Sequence, residues 1–216
     1  MKTPKLLLAS LMLTSTLSAA PVKLSPAFPG VWESANRAVI KTAPNAVTVS
    51  GGYVVTKEQF SDAEFTFQAK ALTVSGTDVP VQIWGGIRVK DWENRYVVGV
   101  RGGAEPELSF ARYAADGRSK FLGWVPLDPA PKIGEILTVR LAASGNRFHV
   151  YLNDEKLPRI NIEDQDALWT EGGVALGGGW LPVEFSPPTV SVLNGAKLAE
   201  FNAVGDKTLP LPGTEF

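Results

Sequence analysis

The chain has no cysteine and a single histidine, His149. The missing cysteines exclude a disulfide framework, thiolate metal sites and a cysteine nucleophile. One histidine excludes metal sites built from several histidines and gives little support to a Ser-His-Asp triad. The chain also has little excess of either charge, because the formal net charge is −1 and no basic block occurs. We therefore expect no nucleic-acid partner.

The first twenty residues have the order of a secretory signal peptide. Lys2 and Lys5 precede an apolar run at residues 6–17, and the small residues 18–20 follow it. The run is too short and wrongly flanked for a membrane span, although a buried first helix is an alternative. Loss of the two lysines changes the net charge from −1 to −3. We expect a secreted or periplasmic protein without membrane insertion, and the missing disulfides favour a bacterial source.

Short runs of β-forming residues recur along the rest of the chain, separated by Gly, Pro, Asn and Asp. They predict strands at residues 46–50, 63–72, 81–89, 95–101, 107–113, 120–125, 136–142, 147–152, 173–176 and 183–193. Helical periodicity is nearly absent after the signal peptide. We therefore predict a signal peptide at 1–20, an extended lead-in at 21–31, one β domain at 32–201 and a loosely attached C-terminal tail at 202–216.

Several predicted strands alternate between apolar and polar residues. In EFTFQAKAL, Phe65, Phe67 and Ala69 point to one side, and the polar residues between them point to the other. ILTVRL (136–141) and RFHVYLN (147–153) alternate in the same way. One apolar and one wet face are typical of antiparallel sheets packed face to face. The sequence predicts an all-β fold, a two-sheet antiparallel β-sandwich of the jelly-roll type.

Three motifs in this order resemble a known family. They are GIR at 86–88 before a strand bearing Tyr96, GNRFHVYLN at 145–153, and GVAL at 173–176. The chain resembles the concanavalin A-like lectin/glucanase domains, and within them the laminin G-like bacterial domains of the 3-keto-disaccharide hydrolase type. The resemblance implies a sandwich that binds or hydrolyses carbohydrate. One departure is FSPP at 185–188, where relatives often have Phe-Asp-Asn, and it weakens the case for a calcium site.

The sequence offers no catalytic machinery. Retaining glycosidases need two carboxyl groups about 5–5.5 Å apart, which related glucanases supply from alternate residues of one strand. Neither Glu-x-Asp-x-Glu nor Glu-x-Asp-x-x-Glu occurs here. The acids at 163–166 are interpreted as a solvated turn in which Asp164 caps a helical turn, and His149 as a surface histidine, with a general base as the alternative. We predict no catalytic residue, no metal site and no cofactor.

The polar and aromatic cluster DWENRY at 91–96 is the best candidate for ligand contact. Carboxylate and amide groups accept and donate hydroxyl hydrogen bonds, and an aromatic ring covers the C–H face of a sugar. The alternative is a hairpin turn in which Asn94 takes a left-handed conformation and Trp92 packs over a sheet edge. Trp84 and Arg88 share strand parity, and Trp180 follows three glycines that could hold it at a rim.

Arginines are spread over three successive predicted strands, at positions 88, 95, 101 and 112. If these strands are neighbours, the arginines form a row on one polar face that suits acidic or hydroxyl-rich ligands. The alternative is a solvated face paired with nearby carboxylates. The predicted ligand-binding residues are Trp84, Arg88, Asp91, Trp92, Arg95, Arg101 and Trp180.

Three functions remain open. The first is a secreted, non-catalytic carbohydrate-binding domain with a glycan or polysaccharide as partner. The second is a glycoside hydrolase of the 3-keto-disaccharide hydrolase type, which would need a carboxylate or His149 with a shifted pKa in a pocket. The third is a structural or adhesion protein of the envelope, which a large exposed apolar patch would favour.

Overall fold

A computed structural model describes residues 22–23, 32–35, 38–74 and 79–211, with side chains from residue 38 onward. The predicted signal peptide and most of the predicted lead-in lie outside these residues. The described residues form sixteen strands and one helix. They are β1 (Val22–Lys23), β2 (Trp32–Ala35), β3 (Val39–Ala43), β4 (Ala46–Ser50), β5 (Gly52–Thr56), β6 (Ala63–Ala71), β7 (Gln82–Val89), β8 (Arg95–Arg101), β9 (Glu107–Tyr113), β10 (Lys120–Pro126), β11 (Ile136–Ser144), β12 (Arg147–Leu152), β13 (Ile160–Glu163), β14 (Gly173–Gly178), β15 (Val183–Phe185), β16 (Thr189–Val192) and α1 (Gly195–Ala203).

The strands form two antiparallel sheets. The smaller sheet has seven strands among the described residues, in the order β10-β9-β8-β7-β14-β5-β2. The larger sheet has nine, with the path β13-β12-β11-β6-β15-β4-β3, and β16 joins it beside β6 and pairs with β1. The predicted all-β, two-sheet sandwich is confirmed. Strands β4, β8, β9 and β12 have the bounds that the sequence pattern predicts.

The core lies between the sheets and follows the predicted alternation. Phe65, Phe67 and Ala69 of β6 are buried, while the residues between them are partly or fully exposed. Rings from both sheets meet at one end of the core. The centroid of Tyr96 lies 4.5 Å from that of Phe148, which belongs to the opposite sheet. Burial of each such side chain contributes about 1.5–3 kcal/mol, so these rings hold the two sheets together.

The helix α1 covers part of the outer face of the larger sheet. Phe201 of α1 is buried with Ala142 of β11 and Leu193. Beyond the helix, the Asn161 side chain donates to the carbonyls of Gly205 and Lys207 at 2.8 and 3.0 Å. The C-terminal segment, which the sequence suggests is loosely attached, is therefore bonded to the sheet here. Among the described residues, no helix combines the length and apolar character needed to cross a membrane.

Candidate functional site

A groove of about 340 Å³ lies on the outer face of the smaller sheet. The strand register explains its shape, because small residues alternate with large ones across neighbouring strands. One row runs across six strands as Tyr53, Gly177, Trp84, Gly99, Ser109 and Trp124. The row beside it is Val55, Ala175, Gly86, Val97, Ala111 and Phe121. Gly, Ala and Ser form the floor, and the aromatic side chains form the walls.

Trp84 occupies the middle of the groove, between two glycines. A Cβ atom built on Gly177 would lie 3.4 Å from Cε3 of Trp84, and one built on Gly99 would lie 3.9 Å from Cδ1. These two atoms flank the point where the indole joins its Cβ, so the base of the ring lies between the strands of Gly177 and Gly99. The ring fits there because the neighbouring positions carry no side chain. Trp84 is half-buried and keeps part of its surface open to the groove.

A stack of aromatic rings and one arginine closes one end of the groove. Tyr53 and Trp92 are stacked with ring centroids 4.8 Å apart. The guanidinium carbon of Arg95 lies 4.3 Å from the centroid of Trp92 and 4.3 Å from that of Tyr113. Each cation–π contact stabilises the positions of both partners. The end wall is therefore built from side chains that hold one another in place.

The electrostatics of this end are set by burial. Burial lowers the pKa of Arg95 and raises the pKa of Tyr53, although Arg95 acts against the rise in Tyr53. The Tyr53 hydroxyl donates to the carbonyl of Asp91 at 3.1 Å. Nε of Arg95 is buried and has no hydrogen-bond partner. Within the described part of the chain, no carboxylate lies within ion-pair distance of Arg95, and the charge of Asp91 acts on it from further away.

The turn between β7 and β8 holds Trp92 over the groove. The Asp91 carboxylate accepts hydrogen bonds from the backbone N–H of Glu93 and Asn94 at 2.8 and 2.9 Å, and from the Asn94 side chain. The carboxylate of Asp91 is therefore used by its own turn, and Asp91 does not line the groove. The segment is the hairpin turn of the alternative interpretation, but Asn94 is not among the described residues with a left-handed φ. The segment also supplies Trp92 and Arg95 to the groove lining, and contact with a ligand stays a prediction.

Arg88 lies away from the groove, although it shares sequence parity with Trp84. Its φ angle of 52° is left-handed, and the pairing of β7 with β14 shifts register at this point. The bulge turns Arg88 inward, where its guanidinium donates to Gly145 O at 2.6 Å and pairs with Asp62. The side chain is fully buried. Arg88 thus connects strands and loops at the end of the sandwich and is not accessible to a ligand.

Arg112 and Asp164 form a second buried pair. Asp164 accepts hydrogen bonds from Arg112 and from the Tyr96 hydroxyl, the latter at 2.8 Å. Burial, followed by the bond to Asp164, raises the pKa of Tyr96 to about 12. The interpretation of Asp164 as part of a solvated turn is therefore wrong, because the side chain is sealed inside. Arg88 and Arg112 both turn inward, so the expected row of four arginines does not form.

The remaining predicted residues are dispersed. Arg101 lies on the outer face of β8 beyond the groove, where it pairs with Glu105 and Glu107. Trp180 is 71 % exposed and follows β14, outside the groove lining. Of the seven predicted residues, the structure brings together Trp84, Trp92 and Arg95. It does not bring Arg88, Asp91, Arg101 and Trp180 into that set.

His149 is buried, so its interpretation as a surface histidine is wrong. Its ring stacks on Phe201 of α1 with centroids 4.0 Å apart, and its Nδ1 lies 3.3 Å from the Tyr151 hydroxyl. Burial, with repulsion from Arg147 and Arg140, lowers the pKa of His149 to about 4. The residue lies on the outer face of the larger sheet, opposite to the groove. It therefore supplies no general base there.

Several residues that line the groove were not predicted from the sequence. These are Tyr53, Val97, Gly99, Ser109, Ala111, Tyr113 and Phe121. A signal was present in the alternation of ELSFARY, where Ser109, Ala111 and Tyr113 fall on one side. Strand parity assigns a face within one strand, but pairing between strands decides which faces adjoin. Without the strand order, these residues could not be joined to Trp84 and Arg95.

The groove has the chemistry of a binding surface. None of the described residues that line it is Asp, Glu or His. It therefore offers aromatic surface, the Ser109 hydroxyl and one guanidinium, and no pair of carboxyl groups for acid–base work. Elsewhere in the described chain, no three His, Cys, Asp or Glu residues cluster as metal ligands.

Comparison with solved structures identifies the fold. The chain is similar to the carbohydrate-binding module CBM66 from Bacillus subtilis, with a TM-score of 0.62, 16% identity, and coverage of 74% of this chain and 94% of that one. It is also similar to the VIP36 exoplasmic/lumenal domain in a Ca²⁺/Man-bound form, with a TM-score of 0.59, 10% identity, and coverage of 76% and 84%. A glycosidic hydrolase matches with a TM-score of 0.54, 12% identity, and coverage of 82% and 96%.

These likenesses support a concanavalin A-like, lectin-type sandwich. At such low identity they establish the fold and leave the ligand open. No protein-family model matches the chain, and no curated protein matches it. The resemblance to the laminin G-like branch therefore stays a prediction.

Proposed function

We propose that this protein is an exported carbohydrate-binding domain whose groove on the smaller sheet receives a glycan. One observation carries the proposal: the Trp84 indole lies in the groove between Gly99 and Gly177, which have no side chains to cover it. Such a ring presents a broad apolar surface to a ligand, and the C–H face of a pyranose packs against aromatic rings. Ser109 and Arg95 supply polar groups beside it. Together they form the mixed apolar and polar surface that a sugar requires.

The fold and the groove lining support binding more than hydrolysis. The solved structures with a similar fold include a carbohydrate-binding module, a lumenal domain bound to mannose and a glycosidic hydrolase. A hydrolase needs a positioned acid and base, and the described groove residues include no carboxylate. Hydrolysis of the 3-keto-disaccharide type and an adhesive role in the envelope are thus the alternatives that the experiment must separate. Export to the periplasm or the medium is proposed from residues 1–20 alone.

The proposal is tested by isothermal titration calorimetry of the purified protein against a panel of neutral and charged oligosaccharides. Saturable binding of at least one glycan is expected. Trp84→Ala should weaken it at least tenfold, because the substitution removes the stacking surface. Trp180→Ala is the matched control, since that side chain is exposed but lies outside the groove.

The outcomes separate the three functions. Equal losses for the Trp84 and Trp180 variants would place the binding site elsewhere. Products released from glycosides or 3-keto-disaccharides on long incubation would favour the hydrolase. If no glycan of the panel gives a heat of binding, the carbohydrate proposal is wrong. The adhesive role would then be tested with envelope proteins.

A further inference from the structure

Arg95 differs from the other arginines of the described chain in having no acidic partner. Every other described arginine lies within ion-pair distance of a carboxylate. These ion pairs are Arg88–Asp62, Arg101–Glu105, Arg112–Asp164, Arg118–Asp116, Arg140–Glu64, Arg147–Asp206 and Arg159–Glu155. Arg95 contacts aromatic rings instead, and it is only 8 % exposed. The one described arginine without an ion-pair partner thus lies at the groove and not on the open surface.

The hydrogen-bonding capacity of Arg95 is used only in part. A guanidinium carries five N–H donors, and the Nε of Arg95 has no partner and is sealed from solvent. A ligand in the groove would therefore reach the Nη groups of Arg95. Asp91, the acid whose charge acts on Arg95, uses its carboxylate to accept hydrogen bonds from Glu93 and Asn94. A buried cation with free donors is costly unless an anion reaches it.

From this arrangement we infer that the groove selects acidic glycans, and that Arg95 binds the carboxylate of a uronic acid residue. The inference rests on the proposed carbohydrate-binding function and names its ligand class. A carboxylate matches the guanidinium because two parallel N–H···O bonds form between the planar groups. The rings of Trp92 and Tyr113 keep water from Arg95, which strengthens such a pair relative to one in open solvent.

The ligand is an oligosaccharide in which the stacked sugar and the acidic sugar are different residues. Arg95 and Gly99, the neighbour of Trp84, are four residues apart on β8, or about 13 Å of strand. This is a separation of backbone positions, and it is longer than one pyranose. In the proposed complex, one unit packs on Trp84 while a neighbouring unit presents its carboxylate to Arg95. Ala111 and Val97 leave the space between these two positions open.

The test compares uronate oligosaccharides with the same molecules as methyl esters, which keep the sugar and remove the charge. Tetragalacturonate, tetraglucuronate and an alginate tetramer are titrated calorimetrically at low and high NaCl. We expect at least one acid to bind tenfold or more tightly than its ester, with the advantage shrinking at 0.5 M NaCl because salt screens the pair, on the order of a 3–5 Å screening length.

Variants of two arginines on the same strand locate the effect. Arg95→Met should abolish the preference for acid over ester, because it keeps the length of the side chain and removes the donors. Arg95→Lys should restore part of it, since the charge returns without the planar fork. Arg101→Met is the matched control. Arg101 lies on the same face of β8 but is paired with Glu105 and Glu107 beyond the groove.

Each outcome decides the inference. Equal affinity for acid and ester, or a preference that persists in Arg95→Met, overturns it while leaving carbohydrate binding intact. Binding of neutral or sulfated glycans only, with no uronate bound, also overturns it. No glycan binding at all removes the proposed function itself. If Arg95→Met fails to fold by circular dichroism, the acid and ester comparison on the unmodified protein decides alone.

Discussion

The two sheets carry an arginine against an aromatic ring on each outer face, yet the two faces differ in what surrounds that pair. On the larger sheet, Arg140 lies 3.7 Å from the Tyr151 ring centroid and pairs with Glu64. The helix α1 covers the neighbouring surface. On the smaller sheet, Arg95 lies against Trp92 and Tyr113, with no described carboxylate in reach and no described helix above. The first face is covered by the protein itself, and the second leaves Arg95 without an acidic partner, which is where we propose that a ligand binds.

The difference shows that aromatic residues on an outer face have two distinct uses. Phe201 and His149 are stacked and buried, so they attach α1 to the larger sheet. Phe121 and Trp124, on β10, are each 59 % exposed; Phe121 lines the groove and Trp124 extends the aromatic surface beyond it. The first pair stabilises the fold, and the second leaves aromatic surface exposed.

The largest expected effect is a loss of stability when the contact between α1 and the larger sheet is weakened. Phe201→Ala should lower the free energy of unfolding by about 3 kcal/mol, because it removes a buried ring and leaves a cavity under α1. Phe121→Ala, the control on the open face, should change it by no more than about 0.5 kcal/mol. Urea unfolding followed by fluorescence measures both. Similar losses in the two variants would show that the faces do not differ as described.

The next largest effect is a loss of stability at low pH, which we expect from the buried His149. The folded state holds the pKa of this histidine at about 4, below its ordinary value of 6.5, so the unfolded chain binds the extra proton first as pH falls. Stability contributed by the neutral ring is present above pH 6.5 and is lost as pH drops towards 4. Between about pH 7.5 and pH 5 the loss should be about 2 kcal/mol.

His149→Phe isolates this contribution, because it keeps a ring against Phe201 and removes the titration. The difference in unfolding free energy between the variant and the unmodified protein should change by about 2 kcal/mol from about pH 7.5 to pH 5. Other titrating groups cancel in that difference. A constant difference across the range would mean that His149 accepts its proton inside the fold as readily as outside it.

The smallest effect on stability comes from removing the acidic partner of Arg140, which leaves it, like Arg95, against an aromatic ring without an ion pair. Glu64→Gln removes the carboxylate and leaves the contact with Tyr151. Both charged side chains are partly exposed, so the loss in stability should be below about 1 kcal/mol, and it should shrink further at high salt. Thermal unfolding at low and high NaCl measures it. A loss of several kcal/mol would show that an arginine against a ring still depends on its acid.

The sequence pattern located most of the strands, but it missed β1, β2, β3, β5 and β13 and predicted β15 and β16 as one strand. Alternation placed Phe65 and Phe67 inside and gave Trp84 and Arg88 the same side, because side chains of a regular strand point to opposite faces in turn. It failed at Arg88, where the left-handed residue in β7 reverses the parity. A bulge of this kind depends on the close approach of Gly172, where any side chain would collide with the backbone of Arg88. That contact is between distant parts of the chain and leaves no local signal.

The site was predictable only in part for a similar reason. The segment 91–96 indicated Trp92 and Arg95, but their partners Tyr53 and Tyr113 belong to other strands. The cover of His149 by α1 was also missed. Residues 196–200 (AKLAE) are strong helix formers, but only the packing of Phe201 on the sheet shows which surface the helix covers. Local chemistry could be read from the sequence, whereas the neighbours of each side chain came from the strand order.

The stack of Tyr53, Trp92, Arg95 and Tyr113 has a consequence for the entropy of binding. A flexible arginine or aromatic side chain that becomes ordered on binding costs about 0.5–1.5 kcal/mol. Here the rings and the guanidinium already restrict one another, and the Tyr53 hydroxyl is tied to the Asp91 carbonyl. A ligand that enters this end of the groove meets rotamers that were fixed during folding. Much of the ordering cost is therefore borne by the fold, so a ligand at this end would bind more tightly for the same contacts.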